Sequence, residues 1–221
     1  MSAIAIDIVS DTVCPWCYIG TRLREAALRE RPAIAVDLRW HPYQLAPDLP
    51  AEGLARDAYL AAKFGSLAAA RDIFGRIADA GRGAGLDFRF DRIRRAPNTL
   101  DSHRLILWAG SAGCQDAVVE DLFRSYFLDG QDIGDPAVLV GIAARQGMDR
   151  ELVAELLAGD RDRDRVAREA AAARQAGISG VPTFIIGQRY AVAGAQDAAA
   201  FVEIFDRLAA GHRTPSTVSP G

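Results

Sequence analysis

Cys14 and Cys17 are the residues whose types and spacing point most directly to chemistry. Pro15 suits the first position of a helix, because its missing N–H would be unpaired there. A cysteine at a helix start faces unpaired backbone N–H groups and the positive end of the helix dipole, which favours thiolate over thiol. Cys17 lies one turn further on the same face, within disulfide reach. The spacing therefore predicts a dithiol–disulfide pair in which Cys14 attacks and Cys17 resolves.

A zinc site is the alternative for a C-x-x-C pair, because the same spacing supplies two tetrahedral ligands. Zinc usually takes four ligands, and three cysteines and three histidines offer neither a second C-x-x-C nor an H-x₃₋₅-H. We therefore predict no metal. The third cysteine, Cys114, is predicted to pack as a small apolar residue.

A second candidate segment is Gly180-Val181-Pro182-Thr183-Phe184, directly before an apolar strand. Proline is tolerated at the first residue of a strand, and an X-Pro bond can be cis where the fold imposes it. A trans proline that ends the preceding loop is the alternative. The local sequence leaves both open.

The elements around these segments indicate an α/β protein. Apolar alternation predicts strands over 4–9 and 36–40, with a helix over 15–31 between them as the crossover that parallel strands require. A hairpin is predicted over 183–186 and 190–193. A final helix is predicted over 197–209.

Between residues 54 and 176 the composition changes to Ala, Leu and Arg, with an apolar spacing typical of helices. We predict an α/β domain over 1–53 and 177–210, split by a helical insertion domain over 54–176, and a disordered Pro/Ser/Thr-rich tail over 211–221. The predicted insertion helices cover 56–64, 67–80, 98–110, 115–128, 136–146, 150–157 and 163–176.

Composition and charge limit the partners. The 221 residues are 50% hydrophobic and 25% charged, as in an ordinary soluble globular protein. The 26 Lys and Arg against 29 Asp and Glu give a net charge of −3, without a basic cluster that would attract nucleic acid or an anionic membrane. There is no apolar run of membrane-spanning length and no signal-peptide pattern at the N-terminus. We expect a cytoplasmic protein that binds neither nucleic acid nor membrane.

Taken together, these features resemble the DsbA family of thioredoxin-fold oxidoreductases over nearly the whole chain. The more specific resemblance is to a FrnE-like cytoplasmic branch. It implies an α/β thioredoxin-like fold with a large all-helical insertion, a cis Pro182 against Cys14, and Val181 backbone groups that pair with substrate in strand-like fashion. The segments that carry it are Asp11-Thr12-Val13-Cys14-Pro15-Trp16-Cys17-Tyr18-Ile19-Gly20, Pro42-Tyr43-Gln44-Leu45, Pro97-Asn98-Thr99-Leu100-Asp101-Ser102-His103-Arg104 and Gly194-Ala195-Gln196.

Kappa-class glutathione transferases and 2-hydroxychromene-2-carboxylate isomerases share this fold and resemble the chain around residues 98–104. They carry serine where Cys14 stands, which activates glutathione thiolate but cannot form a disulfide. The presence of both Cys14 and Cys17 therefore favours dithiol exchange. Trp16 stands where periplasmic DsbA has histidine, which removes one stabiliser of the thiolate. We expect no bound cofactor, while glutathione stays open as a co-substrate and glutathione or a thioredoxin system as a redox partner.

Five residues are predicted to contact substrate: Val181, Trp16, Pro15, Asn98 and His103. Trp16 lies between the cysteines, where it would guard the sulfur or stack on substrate. A lone histidine on a helix, such as His103, is more often a structural group. The catalytic set is predicted to be Cys14, Cys17 and Pro182.

Two carboxylates near the pair have alternative roles. Asp11 could tune Cys14 or move protons, and could equally form a cap or turn. Asp7 could be a buried proton acceptor for Cys17 or occupy an exposed strand position. The sequence leaves both choices open.

We interpret the sequence as a thiol–disulfide oxidoreductase that cycles a Cys14–Cys17 dithiol on protein or small-molecule disulfides. The alternative enzyme class is a glutathione-dependent transferase or isomerase of the kappa or 2-hydroxychromene-2-carboxylate isomerase type. A non-enzymatic alternative is a peptide-binding or holdase module in the same apolar groove. The sequence leaves the oligomeric state open.

Overall fold

Residues 3–211 are described by the computed structural model, and their centre is a four-stranded sheet. Strand β1 (Ile4–Ser10) pairs in parallel with β2 (Val36–Pro42) and antiparallel with β5 (Thr183–Ile186), which pairs antiparallel with β6 (Tyr190–Ala193). The order across the sheet is β2-β1-β5-β6. The central strand β1 therefore ends beside β5, and this pairing brings the segment before Thr183 to the segment before Pro15.

Helix α1 (Pro15–Glu30) makes the crossover between the parallel strands and packs against the last helix, α9 (Ala198–Gly211). Gly20 faces the sheet, because a Cβ placed there would lie 3.1 Å from Phe184 Cζ and 3.1 Å from Pro182 Cγ. A glycine at this position thus lets α1 approach β5 and the proline before it. The close approach sets the distance between the start of α1 and the 180–182 loop.

The insertion is helical, as predicted, with one feature that the sequence did not indicate. The two-residue strands β3 (Leu54–Ala55) and β4 (Arg95–Ala96) form a short antiparallel ladder. Two residues are too few to show a period of two, so no pattern predicts them. The helices are α2 (Arg56–Phe64), α3 (Leu67–Gly83), α4 (Leu100–Ser111), α5 (Gln115–Phe127), α6 (Pro136–Arg145), α7 (Arg150–Ala158) and α8 (Arg163–Gln175).

Aromatic packing joins the insertion to α1. The ring of Tyr18, the residue after Cys17, stacks on Phe123 of α5 at a centroid distance of 5.0 Å. From there the contacts continue through Phe127 to Phe88, whose rings lie 5.4 Å apart. One hydrophobic core therefore contains residues of both the sheet and the insertion.

The division into domains at 1–53, 54–176 and 177–210 stays a prediction. Of the predicted disordered tail, only Gly211 falls within the described residues, where it ends α9; residues 212–221 lie outside them. Within residues 3–211, no helix is long and apolar enough to cross a membrane.

Candidate active site

Cys14 is the N-cap residue of α1. Its backbone is extended (φ −93°, ψ 109°), and its side chain makes no capping hydrogen bond. The turn that precedes the helix is closed by Cys14 N–H, which donates to Asp11 O at 3.0 Å, and Cys17 N–H donates to Cys14 O at 3.0 Å. This local geometry leaves the Cys14 sulfur at the positive end of the helix without tying it to the helix backbone.

Cys17 is buried beneath Cys14, and both thiols are free. Burial raises the pKa of Cys17 well above its ordinary value, and a hydrogen bond with Cys14 and the charge of Cys14 act in the same direction. A hydrogen bond with Ser10 and one with the Asp11 backbone oppose this rise without cancelling it. At neutral pH Cys17 is therefore a protonated, shielded thiol, as a resolving cysteine requires before the first exchange step.

The 180–182 loop faces Cys14. The Cys14 thiol donates to Val181 O at 3.5 Å, and the Val181–Pro182 peptide bond is cis. Pro182 O accepts a hydrogen bond from Gly194 N at 2.8 Å, so the loop is held by the segment that follows β6. Residues 167 positions apart in the chain thus meet at the sulfur.

A cavity of about 330 Å³, which we call the Cys14 cavity, opens beside the thiol. The start of α1, the loop after β2, helices α2, α3 and α5, the β4 region and the 180–181 loop all contribute to its lining, which is mostly apolar. Cys14, Pro15, Trp16 and Val181 line it together. Trp16 is 40% exposed and Leu45 is 38% exposed, so these two side chains form its solvent-facing rim.

Asn98 and His103 lie outside this lining, in the layer behind it. The Asn98 amide oxygen accepts hydrogen bonds from Leu100 N at 3.0 Å and Gln44 Nε2 at 3.1 Å, while its amide nitrogen donates to Leu49 O at 2.7 Å. His103 is buried, with Nε2 3.0 Å from Tyr43 O. Both side chains therefore hold the loop after β2 against α4, and that loop supplies part of the cavity wall.

Asp11 and Asp7, whose roles the sequence left undecided, lie in different surroundings. Asp11 is buried, accepts a hydrogen bond from Leu45 N at 2.7 Å, and lies 3.4 Å from His103 Nε2. Asp7 lies 2.9 Å from His41 Nε2 on the neighbouring strand. The groups that act on the Cys17 thiol include the Asp11 backbone, whereas Asp7 pairs with His41.

Sequence reasoning missed the polar residues that the insertion brings to the cavity. Arg56, Tyr59 and Lys63 of α2 and Tyr126 of α5 all line it. Lys63 is the single lysine of the chain, which was the one available signal. Helical spacing predicted α2 but gave no indication that α2 faces Cys14.

Comparisons with known proteins agree with this geometry. The family model described as DSBA-like thioredoxin domain matches residues 5–206. The probable DsbA oxidoreductase SCO1869 from Streptomyces coelicolor is 30% identical and superposes with a TM-score of 0.83 over 99% of this chain and 94% of that one.

Two more distant structures share the fold. A 2-hydroxychromene-2-carboxylate isomerase is 15% identical and superposes with a TM-score of 0.69 over 96% of this chain and all of that one. Cytosolic disulfide reductase DsbM from Pseudomonas aeruginosa, in a structure with GSH, is 20% identical, with a TM-score of 0.64 over 95% of this chain and all of that one. The fold is thus the predicted thioredoxin-like one with a helical insertion, and the chain belongs to the DSBA-like thioredoxin domain family of oxidoreductases.

Proposed function

We propose that this protein is a cytoplasmic thiol–disulfide oxidoreductase of a FrnE-like branch, with Cys14 as nucleophile and Cys17 as resolving thiol. The observation that carries the proposal is the asymmetry between the two thiols. Both thiols are buried, but Cys14 lines the cavity at the start of α1, whereas Cys17 lies outside the lining and has a raised pKa. The FrnE-like assignment is supported by the sequence segments that surround these residues.

In the reducing direction, the Cys14 thiolate attacks one sulfur of a substrate disulfide. A Cys14–substrate disulfide forms, the substrate S–S bond breaks, and the second substrate sulfur leaves as a thiolate. Cys17 then attacks the Cys14 sulfur, its proton passes to a departing thiolate, and the Cys14–Cys17 disulfide releases the first substrate sulfur. Two electrons pass to the substrate, so a thiol donor must reduce the pair for the next cycle.

The 180–182 loop supports substrate binding in strand-like fashion. Val181 O is 3.5 Å from the Cys14 sulfur, and Val181 is half-buried in the cavity lining. An extended substrate segment would hydrogen-bond to this backbone while its disulfide reached Cys14. Trp16 on the rim would then cover the disulfide. Pro182 would act as a positioning residue for the loop.

Glutathione or a thioredoxin system is proposed as the redox partner, with no cofactor bound. The support is the shared fold with the cytosolic disulfide reductase DsbM, whose structure contains GSH. The oligomeric state forms no part of the proposal. Disulfides in a small molecule or in an unfolded protein both suit the chemistry of the pair.

The second candidate function is a glutathione-dependent transferase or isomerase. The observation that favours it is the cavity of about 330 Å³ beside position 14, which is of small-ligand size. In that chemistry the residue at position 14 polarises a glutathione thiolate, and Cys17 is dispensable. A buried thiol in contact with Cys14 is indispensable only for a dithiol cycle.

Single-cysteine variants separate the two functions. Insulin reduction in the presence of dithiothreitol should fall to background in Cys14→Ser and fall strongly in Cys17→Ser. Cys114→Ser is the matched control, because Cys114 lies at the N-cap of α5, outside the lining of the Cys14 cavity, and should keep full activity. Insulin reduction that persists in Cys14→Ser would overturn the proposal. If the wild type conjugates or isomerises an electrophile with glutathione but does not act on disulfides, the glutathione-dependent transferase or isomerase function would be supported instead.

Site-resolved alkylation tests the assigned roles directly. At neutral pH iodoacetamide should modify Cys14 well before Cys17, because a thiol with a raised pKa carries little thiolate. The Cys17 rate should rise only when the pH approaches its raised pKa. Faster modification of Cys17 than of Cys14 would reverse the roles of the two cysteines.

A further inference from the structure

Arg56 is a buried cation without an anionic partner. It is 8% exposed and lines the Cys14 cavity. Within residues 3–211 three arginines are buried; the other two, Arg24 and Arg104, each lie within 4 Å of a carboxylate, whereas Arg56 does not. An unpaired buried charge is costly, so this guanidinium has an unmet preference for an anion.

The neighbours of Arg56 hold the guanidinium without neutralising it. Its Cζ lies 4.8 Å from the ring centroid of Phe74 and 5.7 Å from that of Phe90, and its charge opposes the rise that burial causes in the pKa of Tyr126. Tyr126 Oη donates to Arg95 O at 3.2 Å and stays a neutral phenol, because burial raises its pKa. Cation–π contacts and a neutral phenol orient a cation but supply no negative charge.

Lys63 adds a second cation to the same lining. Its Nζ donates to Tyr59 Oη at 2.9 Å, and no carboxylate among the described residues lies within salt-bridge distance. The one acidic residue of the lining is Asp11: its Oδ2 accepts a hydrogen bond from Leu45 N, while its buried Oδ1 lies 3.4 Å from His103 Nε2 without a hydrogen bond. The cavity lining therefore contains two cations, one buried and one exposed, and a single carboxylate.

We propose that the Cys14 cavity binds a small organic acid, an apolar molecule with one carboxylate, and that Arg56 is the residue that recognises the carboxylate. The planar guanidinium matches a carboxylate in two-point hydrogen bonding. The apolar lining accommodates the rest of the molecule, and a volume of about 330 Å³ lies within the range of small-ligand pockets. The buried Asp11 disfavours a dianion such as a phosphate monoester. This binding goes beyond the proposed disulfide exchange and requires no thiol chemistry.

Calorimetric titration of the full chain with 4-phenylbutanoate and with its neutral amide tests the charge requirement. The acid should bind the wild type at least tenfold more tightly than the amide. Arg56→Met should remove this preference, and Arg56→Lys should restore part of it by keeping the charge. Arg76→Met is the matched control, since Arg76 is an exposed arginine on α3 that does not line the cavity, and it should behave as wild type.

Lys63 supplies a readout that does not depend on variants. Because it is the only lysine, acylation of its side chain can be followed by mass spectrometry as a single site. Saturating 4-phenylbutanoate should slow this acylation, whereas the amide at the same concentration should not. This comparison decides the question even if Arg56→Met fails to fold.

Four results would overturn the inference: equal binding of acid and amide, a preference that survives in Arg56→Met, tighter binding of phenyl phosphate than of the carboxylate, or binding of glutathione or acidic peptides alone. Insulin reduction measured on the same preparations keeps the two proposals apart. A protein that reduces insulin but does not distinguish acid from amide fails this inference alone. A protein that binds the acid but leaves insulin disulfides intact fails the proposed function alone.

Discussion

Substitution of Arg104 by methionine tests how the insertion is held together. The Arg104 guanidinium is fully buried on α4 and donates to one carboxylate, Asp101 Oδ1 at 2.8 Å. It also donates to three backbone carbonyls, Leu156 O at 2.6 Å in the last turn of α7, and Gly159 O at 2.8 Å and Arg161 O at 2.8 Å in the connection between α7 and α8. One side chain thus ties α4 to a connection more than 50 residues further along the chain.

The expected loss follows from these four hydrogen bonds. Arg104→Met keeps most of the apolar stem but leaves three carbonyls and Asp101 without this donor. A hydrogen bond to a charged group contributes about 1.5–3 kcal/mol, and relaxation or water entry recovers part of the total. Removal of one partner from a buried charged network costs roughly 3–5 kcal/mol. For a chain of this size that corresponds to a fall in Tm of roughly 6–20 °C.

The assay is guanidinium chloride unfolding followed by far-UV circular dichroism, with calorimetry for Tm. Arg165→Met on α8 is the matched control, because its guanidinium is exposed and pairs with Glu169 at 3.0 Å; its unfolding free energy should change by less than about 0.5 kcal/mol. Arg104→Lys should fall between the two, because lysine keeps the charge but not the planar fork. A loss in Arg104→Met below about 1 kcal/mol, at an unchanged m value, would refute the reasoning.

Two further predictions concern stability elsewhere. Burial acts to raise the pKa of Asp121, but hydrogen bonds from neighbouring side chains, Arg145 first, outweigh it and hold the pKa below its ordinary value. The resulting stabilisation is present at neutral pH and is lost as the pH falls below about 4. The difference in unfolding free energy between wild type and Asp121→Asn should therefore shrink between pH 7 and about pH 2. A difference that is independent of pH would contradict this prediction. Gly130 has φ +74°, and a Cβ there would lie 2.5 Å from Arg92 Cβ, so Gly130→Ala should lose roughly 2–4 kcal/mol in chemical denaturation. Gly147→Ala, at φ +79° with open space around it, should lose about 1–2 kcal/mol, and equal losses would show that the clash is absent.

Local sequence determined the identity of the reactive pair and the described helices and strands, apart from the two-residue strands β3 and β4. Pro15 begins α1 and the apolar periods give the strands 183–186 and 190–193 at their observed bounds, because backbone preferences and side-chain periodicity act over a few residues. An observed helix boundary differs from the predicted one where a side chain hydrogen-bonds to a backbone group. The helix predicted from residue 98 begins at Leu100, since the Asn98 amide oxygen accepts the hydrogen bond of Leu100 N.

The placement of the remaining site residues depended on tertiary structure. The helical period shows that one face of α2 is apolar. It does not show which part of the protein that face covers, so the sequence around Arg56 does not indicate that Arg56 lines the same cavity as Cys14. Likewise, Asn98 and His103 occur in a segment that resembles functional motifs, yet both hold the loop after β2 from behind the cavity wall.

The reactive pair could be predicted and its surroundings could not, because the interactions that define them act over different distances along the chain. A cysteine at a helix start acquires its electrostatic surroundings from residues within one turn, and these are visible in the sequence. Val181 and Arg56 line the same cavity because β5 pairs with β1 and α2 packs against α3 and the β3–β4 ladder. Such contacts depend on the free energy of the whole folded chain, so the sequence determined the reactive pair, whereas the tertiary structure decided what surrounds it.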